Sequence, residues 1–293
     1  GSNLQLRLNN ITSSKILDVR VSKLDVNKQT VESFSPLAIL PDGFRPNGFT
    51  GVKQSSIFSF SQVQAGDRFT ISVQTIDGQV ITLESGQAQV RDLGGGQFAL
   101  TFSDGSFGSV ELLLTQTPTG DLLGAGPNQR QDLEILDLSG VLGTAIASFR
   151  IYREALFNNV VGFYRIDDLS GRVGGITPGQ PGYAQAALNA RVPGADLSTA
   201  NQGLATFSAS LTGQALYAPF ILVNADVSQF FAENPDNLPG AGPQAYFVFM
   251  GANPDGADHV RLLGDNLFGF EDLPGGGDRD FNDLIVRVDL SMA

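Results

Sequence analysis

Apolar residues recur at every second position in a series of short runs within the first 116 residues: Leu4, Leu6 and Leu8; Ile16 to Leu24; Phe69, Ile71 and Val73; Val80 to Leu83; Phe98 to Phe102; Val110 to Leu114. A period of two turns one face of a segment to a core and the other to solvent, so these read as half-buried strands. Asp77-Gly78 and Asp104-Gly105 lie between such runs and read as hairpin turns, because glycine accepts the positive φ those turns demand. Residues 1–117 are therefore expected to form one small β domain. Alternation resumes at Ala147 to Tyr152 and Val160 to Ile166, then at Ala205 to Leu211, Tyr217 to Val223, Ala245 to Met250, Val260 to Leu263 and Leu284 to Leu290. Tyr183 to Ala190, alanine-rich and preceded by Pro178 and Pro181, is the one stretch that predicts a short helix. The fold class expected is all-β: two β-sandwich-like domains, the second with one short helix.

Between the two patterned regions, Thr117-Pro-Thr-Gly120 through Gly126-Pro-Asn128 has no periodicity and predicts a linker over 118–131, leaving 132–293 as the second domain. The basic residues agree with a boundary there, since Lys15, Lys23, Lys28 and Lys53 all precede it and every later cation is arginine.

Composition narrows the function classes. A net charge of −12 argues against a nucleic-acid partner, which would need clustered cations to displace counterions. The absence of cysteine rules out disulfides and thiolate chemistry, and a single histidine, His259, rules out a histidine-rich zinc site. His259, beside Asp258 at a strand entrance, reads as a surface residue without a nucleophile to serve. No apolar run approaches the roughly 18 to 20 residues of a membrane helix, so membrane insertion is not expected.

The chemistry is concentrated in Phe268-Gly-Phe-Glu-Asp-Leu-Pro-Gly-Gly-Gly-Asp-Arg-Asp-Phe-Asn-Asp283. Six carboxylates between Asp265 and Asp283 face one arginine, Arg279, and repel one another unless a cation neutralises them. Calcium (Ca2+) takes six to eight oxygen ligands, which closely spaced Asp and Asn side chains supply, while Gly275, Gly276 and Gly277 let the backbone turn sharply. Asp278, Asp280 and Asn282 match the opening ligand positions of an EF-hand, with Asp289 at the twelfth. However, Asp283 stands where that loop needs glycine, and Leu284 to Leu290 read as a strand. The candidate metal ligands are therefore Glu271, Asp272, Asp278, Asp280, Asn282 and Asp283, in a loop that runs into a strand, with Phe268, Phe270 and Phe281 as core anchors. Asp167-Asp168 is a lesser candidate for a metal contribution, though such a pair before Leu-Ser-Gly reads first as a turn.

The segment Asp265-Asn-Leu-Phe-Gly-Phe-Glu-Asp-Leu through Gly277-Asp-Arg-Asp-Phe-Asn-Asp-Leu-Ile-Val resembles the signature of a bacterial C-terminal domain family, domain of unknown function four-one-one-four. The specific likeness covers Phe247 to Val288, with weaker likeness at Phe163 to Arg165 and Pro178 to Leu188. The resemblance implies a β-sandwich, calcium ligation by the acidic loop, an extracellular or cell-surface setting and no assigned enzymatic activity. The function expected is a non-catalytic calcium-binding module serving adhesion, matrix or surface structure, with a surface glycan or protein as a further partner. A calcium-dependent carbohydrate-binding domain is the alternative, disfavoured by zero Trp and five Tyr to stack on sugars. A carboxylate-based glycan hydrolase ranks below it.

Overall fold

The structure, a computed structural model, describes residues 2–34, 57–63, 66–117, 122–130 and 133–293. Two compact units emerge, Gly1–Leu122 with Leu263–Asp265, and Leu123–Leu262 with Asn266–Ala293. Residues 118–121 and 131 of the expected linker lie outside the described residues.

The first unit contains β1 (Ser2–Ile11), β2 (Ile16–Leu24), β3 (Thr30–Phe34), β4 (Ile57–Val63), β5 (Arg68–Thr75), β6 (Val80–Glu84), β7 (Gln89–Gly94), β8 (Gln97–Asp104) and β9 (Gly108–Thr117). They form two antiparallel sheets, β4-β1-β9-β8-β7 and β3-β2-β5-β6. The alternating residues Leu6, Leu8, Val19, Val21, Ile71 and Val73 are buried between them. Aromatic contacts join the sheets: Phe34 stacks on Phe58 at 4.7 Å, and Phe60 meets Phe69 edge-on at 5.1 Å. The β5–β6 turn uses Gly78 at φ 84°. In the β8–β9 turn the positive φ falls on Gly108, not Gly105, because the Asp104 carboxylate accepts the Ser106 N–H at 2.8 Å and shapes the turn itself.

The second unit contains β10 (Leu136–Asp137), β11 (Thr144–Arg153), β12 (Val160–Ile166), β13 (Leu204–Thr212), β14 (Leu216–Leu222), β15 (Ala245–Phe247), β16 (Val260–Gly264, of which Leu263 and Gly264 group with the first unit), β17 (Leu267–Phe270) and β18 (Leu284–Met292). An outer sheet has the order β13-β11-β18-β17-β16; an inner one runs β10-β14-β12, with β15 also on β14. Strand β11 alternates cleanly, burying Ala145, Ala147, Phe149 and Ile151. The inner strands β12 and β14 are instead buried along almost their whole length, as expected of a sheet covered on both faces. Phe163 points to the outer sheet, stacking on Phe149 at 5.5 Å and meeting Phe268 at 5.3 Å. Its neighbour Tyr164 joins Tyr183, Phe220, Phe230 and Phe247 in the core on the other face. Gly162 is required there, since a Cβ would fall 2.6 Å from the Phe220 ring.

Two short helices line that inner core. The expected one is Tyr183–Asn189; the second, Val227–Glu233, is capped reciprocally by Asp226 and Gln229. The strand expected over Ala245 to Met250 stops at Phe247, where the Asn253 side chain takes both the Phe247 N–H (2.7 Å) and its carbonyl (3.0 Å). From Leu123 the Pro/Gly-rich stretch packs into the second unit. Buried Gln129 accepts the Asn266 N–H at 3.0 Å and donates to Asn266 Oδ1 at 2.9 Å, while Asn266 Nδ2 donates to the Leu123 carbonyl at 2.7 Å.

Candidate metal centre

Strands β17 and β18 pair antiparallel with Phe270 opposite Leu284, so the loop 271–283 is the connection of one hairpin. That register sets Glu271 and Asp272 at the loop's entrance against Asp283 at its exit. The Asp272 N–H donates to the Asp283 carboxylate at 2.8 Å, and the Asp272 carboxylate accepts Asn159 Nδ2 at 2.6 Å. Beyond Asp272 the chain curls back over Glu271. Left-handed backbone at Gly275, Gly276, Gly277, Arg279 and Phe281 makes the curl, and Glu271 Oε1 fixes it by accepting the Phe281 N–H at 2.7 Å. Phe281 is buried beneath the Arg261 guanidinium, 4.0 Å from the ring centroid, and anchors the far side of the loop.

This curl brings Glu271, Asp278 and Asp280 together, with one carboxylate oxygen from each within 4.8 Å of the others. Glu271 is buried, Asp280 half-buried and Asp278 exposed. Asn282 supports Asp280, donating through its N–H at 3.1 Å and its Nδ2 at 2.8 Å. Asp272 and Asp283 form an adjacent carboxylate pair, one step from the three-carboxylate cluster along the hairpin. Asp289, the twelfth EF-hand position, is exposed down β18 and paired with Arg287 at 3.0 Å. Asp167-Asp168 forms a turn: Asp168 accepts the Ser170 N–H at 2.9 Å and Asp167 the Gly175 N–H at 3.0 Å.

Burial pushes the Glu271 carboxyl up to about 7, with Asp280 and Asp278 adding repulsion and the Phe281 N–H opposing. Burial likewise raises Asp283, to about 8, reinforced by the Asp272 carboxylate. These are the signs of a site whose charge is uncompensated by the protein alone. The donor set is oxygen only, the chemistry of a hard cation. Gly277 shapes the cradle: a Cβ there would fall 2.2 Å from Glu271 Oε2, so only glycine lets the backbone lie against the carboxylate.

His259 is wholly buried, contrary to the surface position expected for it. Tyr246 stacks on its ring at 3.5 Å, and its nitrogens face two acceptors, the Glu271 carbonyl at 3.0 Å and the Asp255 carboxylate at 2.9 Å. The same carboxylate accepts the Gly275 N–H at 2.7 Å. Asp255 and His259 thus fasten the glycine turn to the sheet, a role not read from the sequence. The turn-forming Asn253-Pro-Asp-Gly256 was its only local signal.

Fold and loop together define a β-sandwich domain whose acidic loop closes the last hairpin. The family described as Domain of unknown function (DUF4114) matches residues 211–291, which include the whole acidic loop. No curated protein matches the chain. Among solved structures, the chain is similar to the T6SS protein TssM C-terminal domain from EAEC, at 8% identity and a TM-score of 0.25. That alignment covers 40% of this chain and 46% of the other, so it spans less than half of the TssM domain.

Proposed function

We propose that the second unit is a non-catalytic calcium-binding module of a secreted or cell-surface protein. Calcium would be held by Glu271, Asp278 and Asp280, with Asn282, Asp272 and Asp283 as their immediate support, and would stabilise the loop 271–283. The convergence of three carboxylates on one point within 4.8 Å carries this reading. Calcium fits better than magnesium because it accepts irregular oxygen cages of six to eight ligands, whereas magnesium demands a near-ideal octahedron. When bound, the ion supplies the positive charge that the clustered carboxylates lack. The extracellular setting and a part in adhesion or surface structure rest on the family resemblance.

The non-catalytic part of the proposal is supported by His259. As a general base it would need a ring nitrogen within reach of substrate, and both of its nitrogens are engaged inside the protein. Membrane anchoring through a helix finds no support, as no helix among the described residues is long and apolar enough to cross a bilayer.

The test is calorimetric titration of chelator-treated protein with calcium. Binding with a dissociation constant of about 0.1 to 1 mM is expected for an extracellular module. Asp280→Asn should remove the binding heat. Absence of binding in the wild-type protein at millimolar calcium would sink the proposal.

A further inference from the structure

A second feature of this unit is a cleft of about 620 Å³ at the ends of β11, β12 and β14, within the roughly 300 to 1,000 Å³ of small-molecule sites. Arg153, the last residue of β11, lies in its wall and is only 5% exposed. Its Nη1 donates to the Phe157 carbonyl at 2.8 Å and to Asn158 Oδ1 at 2.9 Å. Its Nε is closed to solvent and has no partner, and among the described residues its Nη2 makes no hydrogen bond to the protein and no carboxylate pairs with it. A buried guanidinium without a counter-ion is costly, because the desolvation of the charge is not repaid. It makes sense where an anion arrives from outside.

The other polar groups of the cleft point the same way. Asn158 Oδ1 is taken by Arg153, Asn224 Oδ1 by the Asn158 N–H at 3.2 Å, and Gln229 Oε1 by the Asp226 N–H at 3.0 Å. Each of those donors is an N–H that cannot accept, so the orientation of each amide is fixed. Their amide nitrogens, Asn158 Nδ2, Asn224 Nδ2 and Gln229 Nε2, make no hydrogen bond to the protein among the described residues. Asn158, Asn224 and Gln229 therefore present N–H donors around one guanidinium, beside the Ser198 and Thr199 hydroxyls, which both donate and accept. Asp226 is the only acid in the lining: one of its oxygens accepts the Gln229 N–H at 2.8 Å and the other is left to accept from a ligand hydroxyl. Apolar lining is confined to Val160, Ala200 and Ala225, too little to seat the side chains of a peptide.

We propose that this cleft binds a carboxylate-bearing saccharide, a uronic-acid unit, with its carboxylate on Arg153 and its ring oxygens on the amides of Asn158, Asn224 and Gln229. A uronic acid combines the two features the cleft asks for: an anion to meet the unpartnered Nη2 of the guanidinium, and hydroxyls that both accept from amides and donate to Asp226. The site goes beyond the calcium reading and stands without it.

The experiment titrates the protein with methyl glucuronide and with tri-galacturonate, against methyl glucoside, acetate and a short acidic peptide with a free C-terminus, by NMR chemical-shift perturbation. The uronides should bind at least about tenfold more tightly than the glucoside, the size of one charge-assisted hydrogen bond. Gln229→Glu keeps the acceptor that caps the helix but replaces the donor with a negative charge; it should weaken uronide binding about tenfold or more without changing the melting temperature. Arg153→Lys should weaken it as well, because one ammonium cannot both hold Phe157 and Asn158 as Nη1 does and present Nη2 to the cleft. Equal binding of glucoside and glucuronide, no uronide binding at millimolar concentration, or an unchanged affinity in Gln229→Glu would overturn the proposal. Acetate binding as tightly as the uronides, or the peptide binding more tightly, would overturn the saccharide assignment.

Discussion

Gly277 lies against the Glu271 carboxylate so closely that a Cβ at 277 would sit 2.2 Å from Oε2. The carboxylate has little room to yield, since its other oxygen holds the Phe281 N–H. Gly275, two residues earlier, also has a left-handed backbone (φ 79°), but nothing lies within 4 Å of its missing Cβ. The two positions separate backbone strain from steric exclusion at the metal centre. Gly275→Ala is expected to lose about 1 to 2 kcal/mol of stability and keep its calcium affinity. Gly277→Ala is expected to pay a similar strain and in addition to turn Glu271 out of the cluster, weakening calcium binding by about tenfold or more. Titration calorimetry and urea unfolding of both variants check the pair; equal calcium affinities would show that Gly277 does not shape the site.

A pH prediction follows from the two carboxyls raised furthest, Glu271 and Asp283; burial raises Asp258 in the same direction. Glu271 moves from 4.5 to about 7 and Asp283 from 3.8 to about 8 on folding, so the native state holds more protons than the unfolded chain across that interval. Stability then falls as pH rises. Without calcium, the contribution of these groups is fully present below about pH 4 and is lost as pH climbs through about 7 and 8. The carboxyls of Asp168 and Asp255 shift the opposite way, but their contribution is lost only below their ordinary value of 3.8, outside this window. In chelator the second unit should therefore melt at a lower temperature at about pH 8.5 than at about pH 5.5, and saturating calcium should shrink that difference. Calcium binding near pH 7 should also release protons, read as a binding heat that varies with the ionisation enthalpy of the buffer. A melting temperature independent of pH in chelator would contradict the burial of these carboxyls.

The hairpin-linked strands and the acidic loop were legible because each is local: a period of two identifies β11 or β18, and all six candidate ligands fall between 271 and 283. The helix at Val227–Glu233 had a readable signal as well, in the spacing of Asp226 and Gln229 that builds its capping box. What could not be read depends on pairs far apart in the chain. Asn159 reaches Asp272 across 113 residues, and the Arg153 cleft gathers residues from four separate segments that only the sheet order brings together. His259 was misread for a related reason. A lone histidine beside an aspartate has no periodic signature, and its burial is decided by Tyr246, which stacks on it from another strand.

That stacking makes His259 testable as a fastener of the loop. His259→Phe preserves a planar ring against Tyr246 but removes the ring nitrogens that face the Glu271 carbonyl and the Asp255 carboxylate. A buried acceptor that loses its donor costs about 1 to 3 kcal/mol, and the Asp255 carboxylate keeps the Gly275 N–H, so the second unit should lose about 1 to 3 kcal/mol in urea unfolding. Calcium affinity should fall too, because Asp255 also holds Gly275 in the turn that carries Asp278. Full stability in His259→Phe would remove His259 from this role.

Calcium should stabilise the second unit and leave the first unchanged, because the clustered carboxylates of Glu271, Asp278 and Asp280 all belong to the second. Linkage sets the size of the effect. At a calcium concentration a hundredfold above the dissociation constant, an ion that binds only the native state adds about 2.7 kcal/mol. For a unit of this size each kcal/mol is worth about 2 to 4 °C, so calcium should raise one calorimetric transition by about 5 to 11 °C and leave the other in place. Asp280→Asn should abolish the shift, because it removes a charge from the cluster while keeping the side chain's shape. Asp289→Ala should retain it, since Asp289 is exposed on β18 and paired only with Arg287. If both transitions rise together, or if Asp280→Asn shifts as the wild-type protein does, the ion is bound elsewhere and the loop 271–283 is not its site.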